Sequence, residues 1–119
     1  MKQIILIVGW FFTIIASSVL LYSTYGKFFD GGLIEYMFDV GVGEYVTPIA
    51  FGELMATILF LIPATSRFGL LFLSAHMGGA IAIHLSNEEP FVFQCGVLAL
   101  IWIGGIIRNW ERYKPKFVN

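Results

Sequence analysis

The chain has 119 residues, 58% of them hydrophobic and 13% charged, with a net charge of −1 and a mean hydropathy of +0.83. A soluble domain of this length cannot hide so much apolar surface, so the composition indicates an integral membrane protein forming a single domain over residues 1–119. No basic stripe is present to track phosphates, which excludes a nucleic-acid binder, and the single Cys95 excludes a self-contained dithiol–disulfide enzyme.

Apolar runs of about 20 residues predict an all-α chain, a transmembrane four-helix bundle. The first span covers about 3–24 and ends in the polar run Ser23-Thr24-Tyr25-Gly26-Lys27. Its apolar stretch exceeds a usual signal core, so it reads as a retained span. The connection Tyr25–Glu44 is too long for a turn. Between its glycines lies LIEYMFDV, where Ile34, Met37 and Phe38 share one helical face and Glu35 and Asp39 another. This predicts a short amphipathic helix near Leu33–Val40, with the apolar face turned to lipid or the bundle and the acids to water.

The second span, about 45–62, is stopped by Pro63, which cannot continue the backbone ladder. A tight Ala64-Thr65-Ser66 turn leads to the third, about 67–85. Here Ala75, Gly78, Gly79, Ala80 and Ala82 predict close helix packing. The fourth span, about 90–110, opens on Pro90 in its first turn. It carries Trp102 inside, while Trp110 and Tyr113 fall where an interfacial belt belongs.

Six of the seven cationic residues (Lys2, Arg67, Arg108, Arg112, Lys114 and Lys116) fall at the termini and the second connection. The other connections hold Lys27 with Asp30, Glu35, Asp39, Glu44, Glu88 and Glu89. The positive-inside rule then predicts a multi-pass protein of the cell (inner) membrane with both termini cytoplasmic.

Glu53 is the informative residue. It lies in the otherwise uncharged run VTPIAFGELMATILFLI, where a carboxyl costs roughly 2.5–3.5 kcal/mol to insert and so faces the interior with a partner. At about 1.5 Å per residue, Glu53 lies about 10 Å and His76 about 13 Å below the outer surface. His84, Gln94, Cys95 and the hydroxyls of Ser17, Ser18, Ser23 and Thr24 occupy the same half. Lys27 at the mouth either pairs with Glu53 or snorkels to the headgroups. His76 is either a satisfied core histidine or a ligand contact, and His84 reads first as an interfacial histidine. Gln94 reads as a tie between helices, and Cys95 as a small buried packing residue. His76 and His84 are eight residues apart, unlike helical zinc pairs, so no metal site is expected, and no nucleophile sits with a base and an orienting acid.

Several of these residues together resemble the DoxX-like family of small four-helix membrane proteins. They are Gly26-Lys27 closing the first span, the amphipathic Leu33–Val40 segment, Gly52-Glu53, Pro63 with Arg67 and Gly69, and Ala80 with His84, a similarity that covers nearly the whole chain. The resemblance implies importance for Lys27 and Glu53. It also implies roles around membrane redox assemblies, the founding members resembling subunits of a thiosulfate:quinone oxidoreductase. Two readings follow. One is a non-catalytic accessory or scaffold subunit of a larger membrane complex or homo-oligomer, in contact with the lipid bilayer. The other is a redox-associated subunit that holds a quinone or similar apolar ligand among Lys27, Glu53, His76, His84 and Gln94. Lipid or small-solute handling through the same cavity is a weaker third.

Overall fold

A computed structural model describes residues 1–114; Lys116 of the predicted cationic tail lies outside the described residues. The described chain is all-helical. Helix α1 runs over Lys2–Phe29, five residues beyond the predicted end at Thr24. The polar run does not break it because the polar side chains are satisfied on the helix or inside the bundle. Lys27 Nζ donates to Ser23 Oγ one turn back at 2.6 Å, and the Tyr25 and Phe29 rings pack at 5.0 Å. The break comes at Asp30, whose extended backbone ends α1 and whose carboxylate accepts from the amides of Gly32 (3.0 Å) and Leu33 (3.4 Å). That N-cap starts α2, Gly31–Asp39, matching the expected short helix.

A left-handed Gly41 (φ 93°) turns the chain through a 3-10 turn at Gly43–Tyr45 into α3, Val46–Leu61. Pro48 falls in the first turn of α3, where its missing N–H costs nothing. Ile62, preceding Pro63, is driven to an extended ψ of 121°, and a 3-10 turn at Pro63–Thr65 follows. Proline leaves the last carbonyls of α3 without amide donors. Thr65 Oγ1 donates to Leu59 O at 2.9 Å, and the Arg108 guanidinium to Phe60 O at 3.0 Å and Leu61 O at 3.4 Å. Then come α4, Ser66–Ser86, and α5, Val92–Arg108.

The predicted fourth span is thus trimmed at both ends. Pro90 precedes the helix instead of lying in its first turn, the N-cap being Phe91. At the other end Asn109 leaves helical geometry, its Nδ2 donating to Ser66 Oγ and Gly105 O at 2.9 Å each. Trp110 starts a separate short helix, α6, Trp110–Tyr113, so the described residues form six α-helices where sequence suggested five.

The four long helices close a ring in which α1 and α4 each pack against both α3 and α5. Ala16, Leu20, Ala56, Phe60, Leu70, Leu73, Met77, Val97 and Ile101 fill its middle. Two crossings depend on missing side chains. A methyl on Gly104 of α5 would come within 2.6 Å of Thr13 Oγ1 of α1, and one on Gly69 of α4 would collide with the Phe60 backbone of α3. Backbone cannot yield as a flexible side chain does. Gly69→Ala is therefore expected to destabilise the fold by about 1–3 kcal/mol, measured as a lowered unfolding midpoint in detergent; an unchanged midpoint would mean the α3–α4 crossing is looser than described.

The small-residue face of α4 does not pack as predicted. A Cβ on Gly78 or Gly79 meets nothing within 4 Å, and Ala75 and Ala82 are exposed. Leu70, Leu73 and Met77 make the contact instead, so the small residues leave volume open, and Ala75 and Gly79 border a cavity. The outside of the ring is apolar, with Ile7, Phe11, Phe51, Leu71 and Phe72 all more than half exposed. Three helical stretches (Lys2–Phe29, Gly43–Leu61 and Pro63–Ser86) are long and apolar enough to cross a membrane; Val92–Arg108, 17 residues, is apolar but shorter.

Candidate functional site

At the α2 end of the ring, three helices meet at one carboxylate. The Glu53 side chain of α3 is 2% exposed. Thr24 Oγ1 of α1 donates to its Oε1 at 2.6 Å, and His76 Nε2 of α4 lies 2.6 Å from Oε2. Lys27 Nζ reaches both oxygens, at 3.2 and 3.3 Å. A carboxylate accepts about four hydrogen bonds, so Glu53 is saturated. Lys27, 9% exposed, folds back to the pair instead of snorkelling, because Ser23 and Glu53 together satisfy its ammonium where headgroups would otherwise be needed. With the Nε2 hydrogen donated to the carboxylate, His76 keeps Nδ1 as its remaining polar atom.

A second polar group gathers around His84, eight residues beyond His76 on α4. His84 Nδ1 lies 2.8 Å from Ala80 O, one turn back on α4, and its Nε2 faces Gln94 Nε2 of α5 at 3.3 Å and Tyr36 Oη of α2 at 3.5 Å. Tyr36 donates its hydroxyl proton to Glu89 Oε1 at 2.5 Å. Burial first, then this hydrogen bond and the charge of Glu89, push the Tyr36 phenol up to about 12. His84 is therefore engaged by three elements, more than an interfacial histidine requires, and Gln94 ties α5 to α4.

Both groups border a cavity of about 430 Å³, walled by Leu20, Leu33, Met37, Ile83, Phe93 and Val97 and bordered by Lys27, Glu53, His76, His84 and Gln94. All five residues singled out in the sequence border one space. That volume lies within the range of small-molecule sites, which are mostly apolar with a few placed polar groups. A groove of about 480 Å³ on the α3–α4 seam, lined by Gly52, Met55 and Phe72, shares Ile49 and His76 with it.

Other expectations change. Ser18 and Cys95 are exposed, Cys95 because the packed face of α5 runs through Val97, Ile101 and Gly104. In α2, Met37 is buried and Ile34 half-buried, but Phe38 is 55% exposed, while Glu35 and Asp39 are exposed. The helix presents Leu33, Tyr36, Met37 and Val40 to the cavity. That i, i+3, i+4, i+7 spacing was the available signal for Tyr36, which sequence reading missed; Glu89 offered none. Compared with known proteins, the chain matches no family model, no curated protein and no solved structure.

Proposed function

We propose that this is a DoxX-like multi-pass membrane protein of four spans, and that its cavity binds a small apolar ligand carrying polar oxygens, of which a quinone is the type. Three long apolar helices and an apolar outer surface support the membrane reading. At about 1.5 Å per residue, the 17 residues of α5 reach about 25 Å, the short end of what a span needs. Lys2, Arg67, Arg108, Arg112 and Lys114 belong to the Pro63 end, with Glu111 as its one acidic residue, and the other acidic residues belong to the α2 half, which supports cytoplasmic termini in the inner membrane and a cavity in the outer half.

One observation carries the ligand reading: an apolar cavity bordered by two polar clusters, His76 with Glu53 and Lys27, and His84 with Gln94 and Tyr36. A bare anchor has no use for it. The α3–α4 groove adjoining His76 supplies an apolar approach from the bilayer side. Because the Glu53 carboxylate is saturated, it serves here to position His76 and Lys27 in place of exchanging protons freely. The binding suits an accessory subunit of a larger membrane redox assembly, the reading that the lack of a complete catalytic constellation favours.

The test is decylubiquinone binding to the full chain in detergent micelles, read by native mass spectrometry and calorimetry. One saturable site per chain is expected, lost in Gly79→Phe. Gly79 borders the cavity with open space at its Cβ position, so the backbone admits a side chain there and a phenylalanine ring takes up ligand volume. Absence of saturable binding, or binding unaffected by Gly79→Phe, removes this reading.

A further inference from the structure

Two side-chain polar atoms among the described residues are buried without a hydrogen-bond partner, Ser17 Oγ and Gln94 Oε1, and only Gln94 borders the cavity. The direction in which its carbonyl points is dictated by His84. A carbonyl oxygen 2.8 Å from Nδ1 requires the hydrogen there, so in the neutral ring Nε2 is a lone pair. That lone pair needs a donor. Tyr36 does not supply it, since its one proton is held by Glu89, so the Gln94 amide N–H does, at 3.3 Å. Turning the amide over would set Oε1 against the Nε2 lone pair, which is repulsive. Gln94 therefore holds its carbonyl away from His84 with an acceptor site unfilled, and a buried acceptor without a donor is unfavourable until something provides one.

We propose that Gln94 reads the ligand's head group, selecting an apolar molecule that donates a hydroxyl, such as a phenol, quinol or long-chain alcohol, over one that only accepts. This rests on the ligand-binding reading above and narrows it: of a quinone–quinol pair, the reduced form is the better occupant of the Gln94 wall.

The probes are para-heptylphenol and its methyl ether para-heptylanisole, which are redox-inert and differ in one donor, titrated by calorimetry into the full chain in detergent micelles. At about pH 8 the phenol is expected to bind about tenfold more tightly, the worth of one well-made hydrogen bond. Gln94→Leu should remove the preference, and Gln94→Met serves as a same-shape second variant if leucine impairs folding. Equal binding of the two probes to the wild type overturns the role of Gln94 while leaving the cavity as a ligand site. A preference surviving in both variants also overturns it, because the hydroxyl is then read elsewhere. Saturable binding of neither probe removes the cavity reading itself.

Discussion

Glu53→Ala is expected to destabilise the protein by about 3–5 kcal/mol, the range for removing one partner of a fully buried pair. Alanine leaves the Lys27 ammonium with Ser23 alone, Thr24 with only its bond to Leu20 O, and His76 without the carboxylate it touches at 2.6 Å. The depth of Lys27 makes the effect large, since at 9% exposure its ammonium is not free in water. Two further variants separate the terms. Glu53→Ala with Lys27→Met removes both charges and should recover part of the loss, though not all, because His76 still lacks the carboxylate that took its Nε2 hydrogen. Glu53→Gln keeps the shape and one acceptor oxygen and should cost less than alanine, though not nothing, because its NH2 then faces a donor where the second oxygen accepted. Unfolding midpoints of the four proteins in one detergent make the comparison. A double variant no more stable than Glu53→Ala would show that Lys27 and Glu53 are not energetically coupled, whatever their distance.

The site was legible to the extent that a single rule demanded a partner. One carboxyl in an apolar run has to be satisfied, and Lys27 and His76 were the groups at a suitable depth. What escaped depends on how helices are rotated and folded back. Tyr36 meets Glu89 because α2 turns its Leu33, Tyr36, Met37 and Val40 side to the cavity, and nothing local in a helix apolar on both sides tells which side meets the bundle and which meets lipid. Ser23, Thr24 and Lys27 read as a helix end because polar residues commonly mark one, yet these three point inward to partners and α1 continues to Phe29. The glycines and alanines of α4 fit either a close helix neighbour or an open volume, and spacing alone does not choose. Cys95 was placed inside on its general tendency, whereas the packed stripe of α5 passes it by.

Arg108 is the clearest case of a residue counted for one property and used for another. In the sequence it was one more charge near the cytoplasmic end. In the structure its guanidinium lies 3.8 Å over the Trp10 ring of α1, donates to the Phe60 and Leu61 carbonyls that Pro63 leaves open, and reaches Thr13 Oγ1 at 3.3 Å. It thereby ties α1, α3 and α5 where the Pro63 turn interrupts the backbone ladder. Arg108→Ala is expected to cost about 2–4 kcal/mol, combining hydrogen bonds from a charged donor with a partly desolvated cation–π contact. Arg108→Lys decides between the two roles. Lysine keeps the charge but has neither the planar fork that spans two carbonyls nor the flat face that stacks on indole. If Arg108 closes the α3 terminus, lysine should recover less than half of the alanine loss in the unfolding midpoint. If it acts only as a positive charge near headgroups, lysine should behave as the wild type, and the bridging role would be discarded. The Trp10 stack offers a second readout: Trp10→Leu should lower the wild-type midpoint and have little further effect once Arg108 is alanine, since the two share one contact.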